Sequence, residues 1–269
     1  MSDGSRRSNL REQPRPTKRL GPCVLEGTLV RLEPLREGHA AAPIAAAGKL
    51  DWGWFLRPLH TKADVDRHIL DGRMAEDKDE AYAFAVITKR DGLVVGSTSH
   101  LQVAAEHKRV EIGSTWYTKD TQGTKVNPEC KYLLLRHAFE DWGTERVQFT
   151  TDSNNLRSQH AILKLGAKFE GKLRSDKRRA DGSMRDPMVY SIIRSEWPAV
   201  QQRLLARING PQFCQTCVGC LAPQFAQNTA ETSNWVPQLG QNFMPGCGDT
   251  PYPVGACSPG GGAILARFE

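Results

Sequence analysis

The sequence predicts an α+β domain over residues 24–208, a twisted mixed β-sheet flanked by helices, with segments of different composition on either side. Two observations carry this reading. Apolar periodicity is confined to the middle of the chain. There it runs as a strand meander followed by strand–helix–strand–helix–strand, an order that belongs to α+β sheets. The flanks, 1–23 and 209–269, combine Ser, Arg, Pro, Gly, Gln and Asn with little periodicity, so each is expected to be disordered.

The elements follow in order. Thr28 to Leu32 alternates as a first strand ended by Pro34, and Glu37 to Lys49 is Ala-rich and helical in pattern despite Pro43. A helix is expected from Lys62 to Ala75, capped by Thr61, with Val65, Ile69 and Leu70 inward. Ala81 to Thr88 and Leu93 to Leu101 are strands around the turn Arg90-Asp91-Gly92. Arg109 to Tyr117 is another strand, followed by a polar loop from Lys119 to Val126. Pro128 opens a helix whose positive end suits Glu129, and that helix stops near Gly143. Arg146 to Thr150 is a strand, and Leu156 to Leu165 a helix closed by Gly166 as a left-handed cap. Phe169 to Leu173 and Met188 to Ile193 pair around Asp181-Gly182. Ser195 caps a last helix reaching Ile208.

Composition excludes several classes. None of the chain approaches the ~18 consecutive apolar residues of a membrane span, and no apolar run follows the basic N-terminus as a secretory signal requires. The net charge is +6, but residues 1–20 hold six Lys/Arg against two acids, while 208–269 hold one base against three acids. The middle keeps a mild positive surplus, suited to a phosphorylated ligand and short of a nucleic-acid footprint. Five of the seven cysteines lie in the last 56 residues, so the body reads as a reduced, cytoplasmic domain. Cys214-x-x-Cys217-x-x-Cys220 lacks the two separated pairs of standard zinc sites, and no metal is expected. Cys130 reads as helix packing, and His100, His107 and His137 as structural or surface residues.

Two stretches carry chemistry. In Trp116 to Glu140 a strand ends, a polar loop turns and a helix begins, which presents backbone amides to an anion such as a pyrophosphate. An ordinary crossover has the same pattern. In Thr150 to Glu170, Asn155 and Ser158 stand three apart at a helix start and face one side, which helix capping also explains.

Taken together, the segments VLEGTLVRLEPL, EIGSTWY, QGTKVNPECKYLLLRHAFE, TDSNNLRSQHAILKLGAKFEGKLR and DPMVYSIIRSEWPAV resemble, in order, the GNAT (GCN5-related) N-acetyltransferase superfamily, in its RimJ/RimL-type branch. The resemblance implies a twisted sheet whose two central strands, here Arg109–Tyr117 and Arg146–Thr150, splay to admit acetyl-CoA. It implies pantetheine pairing at Ser114, Thr115, Trp116 and Tyr117. It also implies a pyrophosphate loop of Gln122, Gly123, Thr124, Lys125, Val126 and Asn127. The superfamily loop pattern is [Gln/Arg]-x-x-Gly-x-[Gly/Ala]. Gln122 matches it, but Lys125 and Asn127 occupy the small-residue positions, and Gly123 is displaced; Asn127 is expected to preserve the loop by adopting positive φ. Lys125 either meets phosphate or faces solvent. Acyl transfer then assigns Glu111 as the carboxylate that deprotonates the amine, Ser158 as proton donor to the CoA sulfur, Asn155 as its positioner and Arg157 as a phosphate contact. The acceptor class stays open among polyamines, aminoglycosides and peptide N-termini. A non-catalytic relative bound to RNA or ribosome is the alternative.

Overall fold

Burial along Tyr82–Thr88 alternates between two separate apolar cores, which makes this strand the wall between two layers. Phe84 and Val86 enter one cluster, Ala85 and Ile87 the other. The computed structural model describes residues 21–210 apart from 47–48 and 180. The expected arm and tail therefore lie almost wholly outside the described residues.

Ten strands are present among the described residues: β1 (Leu25–Glu26), β2 (Val30–Pro34), β3 (Tyr82–Thr88), β4 (Val94–Ala104), β5 (Arg109–Tyr117), β6 (Arg146–Asp152), β7 (Lys168–Lys172), β8 (Lys177–Arg178), β9 (Met184–Arg185) and β10 (Pro187–Ile193). Eight of them form one sheet in the order β1-β2-β3-β4-β5-β6-β10-β7, while β8 and β9 make a separate hairpin. The sheet is antiparallel except where β5 and β6 run parallel. This is the mixed sheet the sequence predicts.

The helices are α1 (Ala41–Ala46), α2 (Lys62–Asp77), α3 (Val126–Arg136), α4 (Leu156–Leu165) and α5 (Trp197–Asn209). Val65 and Ile69 of α2 join Trp52, Leu59 and Trp116 in one core. Leu133 and Leu134 of α3, Ile162 and Leu165 of α4, and Val200 and Leu204 of α5 join the other. Thr61 caps α2 by accepting from the Asp64 amide at 3.2 Å, and Gly166 closes α4 at φ 103°.

Several boundaries differ from the sequence reading. The helix expected over 37–49 becomes a 3-10 turn, Glu37–His39, followed by the six-residue α1, because Pro43 fits only a first turn. Leu70 is exposed, since the inward stripe of α2 passes through Val65 and Ile69 instead. α3 starts two residues before Pro128 and continues through a π turn, His137–Asp141. Ser195 lies inside a 3-10 turn; Glu196 stands at the N-cap of α5 without a side-chain cap bond, and its carboxylate accepts from the Ile193 amide at the start of that turn at 3.0 Å. Glu129 also does more than face a helix dipole. Its buried carboxylate accepts from the amides of Thr28, Leu29 and Val30 at 2.7–2.8 Å, tying α3 to the β1–β2 turn. Gly27 is required there: a Cβ would sit 2.8 Å from Glu129 Cδ.

Candidate active site

The parallel ladder between β5 and β6 runs only through Arg109↔Arg146, Val110↔Val147 and Glu111↔Gln148. Past that point the strands part. β5 continues to Tyr117 against β4, and β6 continues to Asp152 against β10. Two strand edges with unpaired peptide groups therefore face each other across a widening gap, as the resemblance implies.

A bulge shapes the β5 side. Ser99 pairs with Gly113 and Ser97 with Trp116, so Ser114 and Thr115 together oppose Thr98. Ser114 takes φ 48°, the left-handed conformation that lets the strand bend away. Behind the bulge, the Lys131 ammonium from α3 donates to Thr115 Oγ1 at 2.7 Å and Thr98 Oγ1 at 3.2 Å. The Thr115 hydroxyl in turn donates to the Gly113 carbonyl at 3.2 Å. Burial pulls the Lys131 amine down to about 8. Its place on the inward stripe, between Asn127 and Leu135 at four-residue steps, is the only sequence signal that marks Lys131 as buried.

Glu111 sits at the closed end, where pairing stops. It is 7% exposed and accepts from Gln148 Nε2 at 3.3 Å. Burial pushes its carboxyl above the ordinary value, and the Lys177 ammonium opposes that shift. A carboxyl so placed titrates nearer neutrality and accepts a proton once ionised.

The loop after β5 is fixed by its own side chains. Gln122 Nε2 donates to the Tyr117 carbonyl at 2.9 Å, and Thr124 Oγ1 donates to Thr121 O at 2.7 Å. The residue with positive φ is Gly123, at 79°, while Asn127 is helical, in α3, and its Oδ1 accepts from the Tyr117 hydroxyl at 3.1 Å. The displaced glycine thus supplies the freedom expected of Asn127. The half-buried Lys125 ammonium donates to the Gly210 carbonyl, while its backbone amide stays in the loop. The amides of Gly123, Lys125 and Asn127 have no acceptor among the described residues, and that of Val126 has only Thr124 Oγ1 at 3.3 Å. These amides stand at the positive end of α3, a geometry that suits a pyrophosphate.

At the other end of the gap, β6 turns into α4. Asn155 Oδ1 accepts from the Ser158 amide at 3.0 Å, a helix cap. The Ser158 hydroxyl is half-buried and makes no hydrogen bond among the described residues. Arg157 is exposed beside it. Asn155 and Ser158 thus lie beyond the open end of the gap and Glu111 at its closed end. Cys130 is fully buried and its thiol is pushed up to about 12, which excludes it as a nucleophile. His100 is a buried structural residue, held to the Leu134 carbonyl at 3.2 Å and pulled down to about 3 by burial. His137 packs beside it and contacts Asp141 at 2.6 Å.

Sequence reasoning missed one buried cluster. Asp152, at the open end of β6, is 1% exposed and takes Arg179 at 2.7 Å and Arg185 at 3.5 Å. No local pattern joins positions 27 and 33 residues apart.

The family model described as an acetyltransferase (GNAT) domain matches residues 30–168. A solved protein from T. thermophilus, described as an acetyltransferase, is 39% identical with TM-score 0.62, covering 70% of this chain and 97% of that one. A GCN5-related N-acetyltransferase from Brucella melitensis is 27% identical with TM-score 0.66, covering 76% and 93%. The curated Bacillus subtilis protein YdaF, named as a ribosomal N-acetyltransferase, is 28% identical over 107 residues, or 40% of this chain. That match spans 57% of YdaF, a little over half of its length.

Proposed function

Since the chain belongs to the GNAT acetyltransferase family, we propose that it transfers an acetyl group from acetyl-CoA to a primary amine, either a protein N-terminus or a small amine. The observation that carries this reading is the end of β5–β6 pairing at Glu111 and Gln148, which leaves a strand edge free to bind an extended ligand. Bound acetyl-CoA supplies an acyl group already activated as a thioester. Ser114 to Tyr117 hold the pantetheine arm along β5, and the amides of Gly123, Lys125 and Asn127 hold the pyrophosphate. Arg157 is placed to meet a further phosphate. Glu111 takes the proton of the attacking amine, directly or through water, and Ser158 returns a proton to the departing sulfur. Asn155 fixes the turn that presents Ser158. Peptide N-termini are the first acceptors to test, following the name of YdaF.

The test is CoA release by the full chain across a panel of peptides and small amines. Release that depends on the amine supports transfer. Acetyl-CoA binding without release to any amine supports the non-catalytic alternative.

A further inference from the structure

Between β7 and β10 the chain gathers charge beside the gap. Lys172, Arg174, Lys177, Arg178, Arg179 and Arg185 stand there against Asp176, Asp181 and Asp186. The β8–β9 hairpin pairs Lys177 with Arg185 and is pinned to the open end of β6. Ser153 N donates to Asp186 O at 3.0 Å, and Arg179 grips Asp152 through Nε and Nη2 at 2.9 and 2.7 Å.

Two of the three acids of this segment are engaged locally, and the third, the exposed Asp176, acts on Arg185. Asp186 binds Lys172 at 2.9 Å and the Ser175 amide at 2.8 Å, and Asp181 binds Ser183. The single buried carboxylate of Asp152 stands between two guanidiniums. Arg185 is 11% exposed, and its buried Nε has no hydrogen-bond acceptor among the described residues. Lys177 is half-buried and makes no ion pair among them. Both Lys177 and Arg185 lie close enough to Glu111 to draw its titration downward. Arg179 and Arg185 thus hold Asp152 at the open end of β6, while Lys177 and Arg185 act on Glu111 further along the gap. Six Lys/Arg of this segment stand against its three Asp together with Asp152 and Glu111, so one positive charge is left over even with Glu111 ionised. Partly buried charge of this kind is costly unless a counter-charge arrives.

We propose that the β8–β9 hairpin selects the acceptor by charge: the site takes an amine with a carboxylate nearby, such as a peptide N-terminus followed by Asp or Glu, and rejects polyamines and aminoglycosides. The extra ammonium groups of those polycations meet Lys177 and Arg185 at like sign, whereas an acidic side chain supplies what the site lacks. This inference rests on reading the gap as the acetyl-transfer site, and it narrows that reading to one acceptor class.

The experiment compares the full chain on matched peptides, Ser-Glu-Glu and Ser-Lys-Lys at the N-terminus, with spermidine and kanamycin alongside. Equilibrium binding of the same two peptides to the CoA-loaded chain is measured in parallel. The acidic peptide is expected to exceed its basic counterpart by about tenfold in both kcat/KM and affinity. Lys177→Gln should shrink that ratio and Lys177→Glu should abolish or reverse it, with acetyl-CoA affinity unchanged. Equal or better use of the basic peptide or spermidine, or an unchanged ratio in Lys177→Glu, overturns the proposal. Turnover without a charge preference sinks the selectivity alone. A binding preference that follows Lys177, with no turnover of any amine, upholds it and sinks the transfer reading.

Discussion

Glu111 couples burial to chemistry in one side chain. Its raised pKa means that the ionised base accumulates only as pH rises through that value, so turnover should climb along an acid limb. Glu111→Gln keeps the shape and removes the acceptor. A pH profile of kcat should then lose that limb, and the rate should fall by about 10²–10⁴-fold. Ser158→Ala should lower kcat toward the small end of that range while leaving acetyl-CoA affinity intact, because the hydroxyl acts only as charge grows on sulfur. Alanine keeps the Ser158 amide that Asn155 caps, so circular dichroism of this variant should match the wild type, whereas Asn155→Ala removes the cap. Lys131 makes a different prediction. Its amine is lowered from 10.5 to about 8, so between those pH values the unfolded chain binds more protons. Folding stability from this group must therefore rise with pH across that window. Urea unfolding of the wild type minus Lys131→Met, measured from pH 7.5 to 9.5, should show that rise; a flat difference would exclude the buried cation. At this scale the sequence was partly legible. Glu111 is singled out because it lies on the strand that the resemblance sets beside the thioester, whereas Lys131 offers only its four-residue spacing from Asn127 and Leu135 until α3 turns it onto β5.

The loop–helix element tests the anion cradle. Lys125 lies at φ −74°, a value proline shares, so Lys125→Pro removes one cradle amide at an unchanged φ. Lys125→Ala loses the same side chain and keeps the amide. Calorimetry should show acetyl-CoA binding weakened in the proline variant relative to the alanine variant by about 1 kcal/mol or more. Equal affinities would place the pyrophosphate elsewhere. The clamp on the β1–β2 turn is structural. Glu129→Ala leaves three amides without their acceptor and should cost about 3 kcal/mol in chemical denaturation. Elements set by local periodicity, such as β5 and α4, match the sequence reading to the residue. The gap between β5 and β6 could not be read that way. Where a ladder stops depends on partners far apart in the chain, and only the family resemblance anticipated it. Asn127 shows the complementary limit, since one displaced glycine at 123 moved the positive φ upstream.

Among the described residues, the two apolar cores lie within 23–208. We propose that residues 24–208 form the self-sufficient domain, and that this fragment melts within about 4 °C of the full chain. A larger loss would assign structure to the flanks. Among the described residues no helix is long and apolar enough to cross a membrane, and no cluster of His, Cys, Asp and Glu could hold a metal. The central claim is that the parted edges of β5 and β6 seat acetyl-CoA. Amide hydrogen exchange of the full chain, with and without saturating acetyl-CoA, tests it most directly. Protection concentrated in Ser114–Tyr117 and Gly123–Asn127, with β2 and β3 unchanged, is the predicted result. Binding that leaves both segments exchanging at their free rates would contradict it.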